Sequence, residues 1–205
     1  MSHVFAVLFA LAAATFASGC ALLGKSDPVV PRYFTPLDDS AAAQAAPARP
    51  TTLKLRLGRI EALSHLREPL VVRTSAQEVS YRDGERWTER PEIYVRTELS
   101  QALFLQRGII EVMSGRAITL DVELTAFEEL EKPQDLVRVQ LFYVLHDDHQ
   151  ALVQGSIVVD QQVSAASGDQ HAPAAVAAYS TALRSSVNQL ADKVAAKLNE
   201  LPQVQ

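Results

Sequence analysis

The segment Ile118–Thr125, ITLDVELT, decides the fold class of this chain. Every second side chain in it is apolar and the residues between are polar, which is the period-two pattern of a half-buried strand. The same alternation returns in Val137–Leu145, and a third extended run covers Leu152–Val163. Because polar segments join these three runs, the sequence predicts an antiparallel meander of three long strands.

Shorter strands are predicted upstream of the meander. Leu53–Leu57 alternates apolar and polar residues, and further short apolar runs predict strands at Leu70–Arg73, Glu78–Tyr81 and Ile109–Met113. The segment Arg82–Glu85, RDGE, is predicted to be a hairpin turn, because its glycine accepts positive φ at no steric cost.

Two helices are predicted to cover the sheet. Pro91–Arg107 begins with a proline that suits a first helical turn, carries an apolar stripe and is ended by Gly108. Apolar residues at three- and four-residue spacing predict a longer helix over Val176–Leu198, stopped by Pro202, and Ser164–Pro173 before it is predicted to be a loop. The predicted fold class is therefore α+β: a largely antiparallel β-sheet packed by two main α-helices, after a signal peptide and a flexible tether.

The N-terminal segment Phe5–Cys20, FAVLFALAAATFASGC, predicts where the protein resides. It is apolar and uncharged, and three small residues precede Cys20, whose thiolate is a good nucleophile for taking up a lipid. It is shorter than the roughly 20 apolar residues of a transmembrane span. A buried core helix is the other alternative, but the run starts near the initiator methionine and ends in a cleavage-like pattern. The segment resembles a bacterial lipoprotein signal peptide, with Cys20 as the lipid attachment site.

Three regions follow from this pattern. Residues 1–19 are predicted to be the lipoprotein signal peptide, residues 20–50 the lipidated N-terminus and tether, and residues 51–202 the folded domain. Five prolines in the tether region fix φ and remove hydrogen-bond donors, so long regular structure is not expected there. The aromatic pair Tyr33-Phe34 interrupts the tether and predicts either a short edge strand on the domain or a contact surface.

Composition narrows the class of protein. Of 205 residues, 48% are hydrophobic and 21% charged, which is a globular composition. The net charge of -5 and the lack of a basic patch argue against nucleic-acid binding, which depends on clustered Lys and Arg. Because Cys20 is the single cysteine, no intramolecular disulfide and no cysteine-based metal site is possible.

The segment His146–His149, HDDH, is the one candidate metal site in the sequence. Its histidines and carboxylates suit a metal such as zinc. Four polar residues between two apolar strands are also typical of a hairpin turn, and we interpret the segment as a turn. The other histidines considered, His65 and His171, are predicted to lie in loops.

No catalytic, cofactor-binding or metal site is predicted. Glu128, Glu129 and Glu131 are candidate acid–base carboxylates, but they belong to a predicted polar loop, Glu128–Asp135, where charged side chains are usually solvated. The sequence contains no GxSxG, P-loop, GxGxxG or HExxH motif. An enzymatic function is therefore disfavoured.

Several motifs, taken in order, resemble those of the ABC-type transport auxiliary lipoprotein family, the PqiC/YmbA-like lipoproteins. The likeness includes the lipobox, which is the run of small residues that ends at Cys20, and it spans most of the mature chain. Its remaining parts are the segment Tyr33–Leu37, the strand Val71–Arg73 with the following Tyr81–Trp87, the helix opened by Pro91, and the closing Ala-rich helix Val176–Leu198.

The resemblance implies a function in transport between membranes. Such lipoproteins act with an ABC transporter and an MCE-domain protein that moves lipids or hydrophobic compounds across a Gram-negative envelope. The resemblance also implies docking of those partners from the periplasmic face of the outer membrane, and Ala21 after the lipidated cysteine is similar to outer-membrane sorting signals. A homo-oligomer is possible. The alternatives are a lipoprotein that assembles an outer-membrane barrel or lipopolysaccharide machine, and a periplasmic hydrolase.

Overall fold

The computed structural model describes residues 30–37, 48–131 and 134–201. The predicted signal peptide, the lipid attachment site Cys20, much of the tether and the predicted helix stop at Pro202 lie outside the described residues. The compact unit begins at Pro31, and everything below concerns that unit.

Within the described residues, eight strands and two long helices confirm the α+β fold class. The strands are β1 Arg32–Phe34, β2 Lys54–Ala62, β3 Pro69–Arg73, β4 Val79–Trp87, β5 Ile110–Glu111, β6 Thr119–Leu130, β7 Leu136–His146 and β8 Ala151–Gln162. The helices are α1 Pro91–Ser100 and α2 His171–Glu200, with a π-helical turn Gln101–Leu105 after α1 and a 3-10 turn Gly168–Gln170 before α2.

The predicted meander is confirmed as β6, β7 and β8. β6 and β7 pair antiparallel from Thr119 opposite His146 to Leu130 opposite Leu136, and β8 pairs antiparallel with the whole of β7. Buried and half-buried side chains alternate along β7. One face of the meander therefore fills the core, as the period-two pattern predicts.

β6 is the central strand of a mixed sheet. Along one edge it pairs with β7, and along the other it pairs in parallel first with β2 and then with β3, for example Leu57 with Leu120 and Val72 with Glu129. β4 is antiparallel to β3, and β1 and β5 are parallel to β4 and β2 at the two ends of this series. The longest pairings are antiparallel, within an arrangement that also contains parallel ones.

β6 extends further than the sequence pattern predicts. A register shift between Leu124 and Ala126 interrupts the alternation, and the four residues from Ala126 to Glu129 are all buried. The strand continues to Leu130, so the predicted polar loop Glu128–Asp135 is wrong at Glu128–Leu130, and β7 begins at Leu136. The bulge changes the faces of the sheet to which the following side chains point. Period-two alternation alone therefore does not predict that the strand continues past it.

The predicted turn Arg82–Glu85 is also wrong, because these residues lie inside β4. Gly84 has φ of 72°, a conformation that glycine adopts without strain. The glycine therefore allows an irregular backbone conformation inside β4. The turn between β3 and β4 lies upstream, where the backbone amide of Ser75 donates to Glu78 O at 3.4 Å.

The helices match the prediction in position and differ at their ends. α1 begins at Pro91 as predicted, but regular α-helix ends at Ser100 and the π-helical turn completes the segment before Gly108, whose φ is 64°. α2 begins at His171, so the predicted loop Ser164–Pro173 is wrong in its last residues. Both helices pack on the sheet.

The aromatic core lies between the sheet and α2. The Tyr179 ring centroid is 5.0 Å from that of Trp87 and 4.6 Å from that of Phe127. Trp87 and Phe127 are themselves 5.2 Å apart. Rings this close contribute directional attraction in addition to the burial of apolar area, so this cluster fixes α2 against β4 and β6.

The pair Tyr33-Phe34 belongs to the edge strand β1, which confirms the edge-strand interpretation. Phe34 packs against the core, and Tyr33 is 64% exposed. None of the helices in the described part of the chain is long and apolar enough to cross a membrane.

Candidate functional site

Two buried glutamates near the end of β6 are the most unusual feature of the described residues. Glu128 is 3% exposed and Glu129 1% exposed. Carboxylates are rarely buried to this degree unless they are paired. Consecutive residues of a strand project to opposite faces of the sheet, so the two carboxylates have different neighbours.

Glu128 forms a two-point ion pair with Arg73 of β3, which we call the Glu128 pair. Arg73 Nε donates to Oε1 at 2.6 Å and Nη2 donates to Oε2 at 2.9 Å. This hydrogen bonding raises the pKa of Arg73 above its usual value, against the opposing effect of burial. The matching fork geometry satisfies both oxygens of the buried carboxylate.

Glu129 is the centre of a larger group, the Glu129 cluster, formed by Arg82, Glu129, Asp135 and His171. Arg82 Nη2 donates to Glu129 Oε1 at 2.5 Å, and Arg82 Nε donates to Oε2 at 3.1 Å. His171 Nε2 lies 2.8 Å from the same Oε1, and His171 Nδ1 lies 3.7 Å from Asp135 Oδ2. Burial and the negative charge of Glu129 raise the pKa of Asp135.

The Glu129 cluster joins the sheet to the start of α2. Arg82 comes from β4, Glu129 from β6, and Asp135 from the segment just before β7, while His171 is the first residue of α2. Gln170, which precedes the helix, makes no side-chain capping bond. The carboxylates of the cluster therefore supply negative charge near the helix N-terminus, where the helix dipole favours it.

The cluster also has the spacing of a metal site. Glu129, Asp135 and His171 each place one potential ligand atom within 4.8 Å of the others. However, Arg82 Nη2 lies 2.8 Å from His171 Nε2 as well as 2.5 Å from Glu129 Oε1. A guanidinium therefore already supplies positive charge at this position, and we interpret the group as an ion cluster.

Neither ion group is predicted from the sequence. The sequence predicts a solvated loop for Glu128 and Glu129 and another loop for His171. One signal was present: Glu128 and Glu129 follow Ala126-Phe127 directly, with no turn residue before Pro133. Apolar residues that run without a break into two glutamates indicate a strand that continues, and the glutamates then need cationic partners.

The predicted turn at His146–His149 is confirmed, except that His146 is the last residue of β7. It connects β7 and β8, and Asp147 Oδ1 accepts the backbone amides of His149 at 2.7 Å and Gln150 at 2.8 Å. These two amide donors lower the pKa of Asp147 below its usual value. His146 Nε2 lies 3.4 Å from a carboxylate oxygen of Asp121. Each acidic group named here has a structural partner that accounts for it.

A surface groove of about 330 Å³ lies where the connection from β2 to β3 meets the start of α1. Its lining consists of Arg67, Glu68, Pro69 and Arg90. Arg90 forms an ion pair with Glu92 in the first turn of α1. These charged groups are open to solvent, and the lining contains no hydroxyl or thiol nucleophile.

The family model of the ABC-type transport auxiliary lipoprotein component matches residues 36–195. This match covers most of the chain, and the protein therefore belongs to that family. The resemblance inferred from the motifs is confirmed. A search of curated protein sequences gave no match.

Solved structures show the same fold at low sequence identity. The protein XCC0632 from Xanthomonas campestris is similar with a TM-score of 0.63 and 15% identity, over 84% of this chain and 95% of that chain. An uncharacterized protein has a TM-score of 0.59 and 13% identity, over 80% and 99% of the two chains. The hypothetical protein CT253 from Chlamydia trachomatis has a TM-score of 0.52 and 8% identity, over 73% and 99%.

Proposed function

We propose that this protein is a periplasmic lipoprotein, anchored in the outer membrane through Cys20, that docks the components of an ABC/MCE-type transport system for lipids or other hydrophobic compounds. The observation that carries the proposal is the family match over residues 36–195. The finer elements rest on the lipobox ending at Cys20 and on Ala21 after it. The partners are an MCE-domain protein and the ABC transporter subunits.

The small number of residues between Cys20 and the folded unit supports a docking function near a membrane. Only a short segment separates Cys20 from Pro31, where the compact unit begins. At about 3.6 Å per residue, this segment spans at most roughly 40 Å. A lipid at Cys20 therefore confines the domain to a thin layer beside the membrane. Confinement raises its effective concentration for a partner in the same layer.

The buried carboxylates support a binding function rather than a catalytic one. Glu128 and Glu129 are the most deeply buried acidic groups described, and each is held at two points by an arginine. A general acid or base must reach the proton that it transfers, and these two carboxylates face arginines instead. We infer that the protein acts by binding its partners.

The decisive experiment is crosslinking in living cells followed by affinity purification of the full chain through a C-terminal tag and mass spectrometry. We expect an MCE-domain protein and an ABC permease to be recovered with the wild-type chain. The Cys20→Ser variant removes the lipid attachment site, so its recovery of these partners should fall sharply. His149→Ala, an exposed turn variant, serves as the control and should recover them as the wild type does.

Other outcomes separate the alternatives. Recovery of outer-membrane barrel-assembly or lipopolysaccharide-transport proteins would favour the assembly function instead. Equal recovery of transport partners by wild type and Cys20→Ser would show that docking does not depend on the anchor. A chain that crosslinks to no envelope protein would contradict the docking proposal.

A further inference from the structure

The first strand of the domain is attached to the sheet along one edge only. β1 is three residues long and pairs in parallel with the last residues of β4, with Phe34 opposite Trp87. The backbone amide of Thr88, just after β4, donates to Phe34 O at 2.9 Å. Among the described residues, no strand pairs with the other edge of β1. Because so few backbone bonds hold it, β1 can separate without disturbing the pairings among the long strands.

A few apolar side chains supply most of the contact between β1, the residues after it and the rest of the domain. Phe34 and Leu37 pack against the hydrophobic core, and Pro36 is buried. Arg32 is exposed and lies 4.0 Å from a carboxylate oxygen of Glu85. An ion pair of this length at the surface contributes little. The attachment of this segment therefore depends on apolar packing, and loss of one ring should weaken it.

The chain is attached to the domain a second time shortly before β2. The backbone amide of Ala48 donates to Leu105 O at 2.8 Å, and that of Thr51 donates to Gly108 O at 2.7 Å. A β-carbon at Gly108 would lie 2.2 Å from the carbonyl oxygen of Arg49, so the two backbones are in close contact there. These contacts are made to the segment between α1 and β5. They therefore do not depend on β1.

We propose that residues 31–37 form a detachable strap that gives the anchored domain two reaches from the membrane. With the strap attached, the chain from Cys20 to Pro31 spans at most roughly 40 Å. With the strap released, the next described attachment is at Ala48, and the chain from Cys20 to that point spans at most roughly 100 Å. The use of these two reaches at a membrane rests on the proposed anchor at Cys20, whereas release of the strap does not.

The two states of the strap respond to where a partner lies. A partner within the short reach binds the domain with the strap attached. A partner beyond that reach favours the released state, because only the released chain allows the anchor and the partner to be held together. The released strap remains joined to Ala48 by a short segment, so its effective concentration at its site stays high. It therefore reattaches when the partner leaves.

The test is to stretch single molecules of the mature chain in optical tweezers, between a tag placed before residue 20 and a tag at the C-terminus. Every chain carries Cys20→Ser, which removes the lipid and the thiol, and no membrane is present. Release of the strap frees residues 31–47 and lengthens the chain by at most about 60 Å. We expect this small and reversible step at a lower force than the unfolding of the domain.

Two substitutions on β1 give a matched comparison. Phe34→Ala removes the ring that packs against the core, so the small step should occur at a lower force than in the parent chain. Tyr33→Ala removes a ring from the neighbouring position, where the side chain is 64% exposed. It should leave the force of the small step unchanged.

Two engineered disulfides test whether β1 is the part that separates. Tyr33 and Arg86 are register partners on β1 and β4, and strands in register bring β-carbons close enough for a disulfide. The oxidised Tyr33→Cys/Arg86→Cys chain should lose the small step, and reduction should restore it. Gln140→Cys/Val158→Cys joins register partners on β7 and β8 instead, and it should keep the small step when oxidised.

Three results would overturn the strap. The first is a chain that unfolds with no smaller step before the main one. The second is a small step that persists in the oxidised Tyr33→Cys/Arg86→Cys chain. The third is an equal change of its force by Phe34→Ala and Tyr33→Ala. Each of these results leaves the docking proposal standing, and a failure to recover transport partners from cells leaves the stretching measurement unchanged.

Discussion

The Glu128 pair and the Glu129 cluster are adjacent in sequence and differ in what they connect. The Glu128 pair links two neighbouring strands, β3 and β6, and its one carboxylate is matched by one guanidinium. The Glu129 cluster links the sheet to α2 and contains a histidine and a second carboxylate. Both carboxylates are buried to nearly the same degree.

This difference shows how position determines chemistry. The Glu128 pair joins two residues of the sheet. The Glu129 cluster adds Asp135 and His171, and it therefore joins the sheet to the first residue of α2. Two glutamates of nearly equal burial thus make different connections.

The largest expected effect comes from removing the guanidinium of the cluster. Arg82→Met leaves Glu129 buried without its two-point partner, and breaking a buried ion pair costs about 3–5 kcal/mol. Arg73→Met makes the same change in the Glu128 pair, and its cost should be smaller because Arg138 also lies close to Glu128. Denaturant midpoints at unchanged slope measure both values. Equal losses would show that the two glutamates depend on their arginines to the same extent.

A smaller effect is expected from the residue that touches both regions. Tyr179 stacks on Phe127, just before the two glutamates, and its hydroxyl donates to Val71 O at 3.4 Å. Tyr179→Phe should lower the free energy of unfolding by about 1 kcal/mol, the value of a typical hydrogen bond. Tyr81→Phe, at an exposed site on β4, is the control and should change it by less than about 0.5 kcal/mol. An unchanged free energy of unfolding for Tyr179→Phe would mean that the hydroxyl contributes nothing to stability.

The exposed pair Arg138–Asp160 is expected to depend on pH in the opposite direction to Asp135. Its two bonds of 2.7 Å lower the pKa of Asp160, so its contribution is present above the unfolded-state value and is lost as the pH falls through the folded-state value. This sign is opposite to that of Asp135. Asp160→Asn should cost less than about 1 kcal/mol at neutral pH and nothing in strong acid. Thermal unfolding of both proteins across the acid range tests it, and a loss that persists in acid would contradict it.

The smallest effect is expected at the turn between β7 and β8. His149 is exposed, and the turn is formed by its backbone amide and by Asp147 rather than by the imidazole. His149→Ala should change the free energy of unfolding by less than about 0.5 kcal/mol and should leave the zinc content of the purified protein unchanged. A loss of bound zinc measured by elemental analysis would reopen the metal interpretation of this segment.

The sequence predicts the parts of the fold that depend on local pattern. The meander, the short β5, the start of α1 at Pro91 and the edge strand at Tyr33-Phe34 all follow from alternation, periodicity or turn chemistry, and all are found. Periodicity also predicts α2, except for its first turn. That turn has no capping side chain at Gln170, so nothing local indicates where the helix begins.

The candidate site depends on contacts that no local pattern encodes. Glu129 is buried because Arg82, 47 residues earlier, and His171, 42 residues later, come to the same point. Without those partners, a glutamate after an apolar run is typical of a solvated loop, which is what the sequence predicts for Glu128–Asp135. The bulge after Leu124 adds to the difficulty, because it ends the alternation before the strand ends.

The central position of β6 has a consequence for the order in which the chain folds. β2 and β3 pair with β6 across about 60 residues of chain, whereas β7 pairs with β6, and β8 with β7, through short connections. Pairings distant in sequence form late because their loops cost more entropy to close. During synthesis, which proceeds from the N-terminus, β2 and β3 therefore keep an unpaired edge until β6 has been made. In this interval, before any native contact with β6 exists, the polypeptide is most exposed to aggregation.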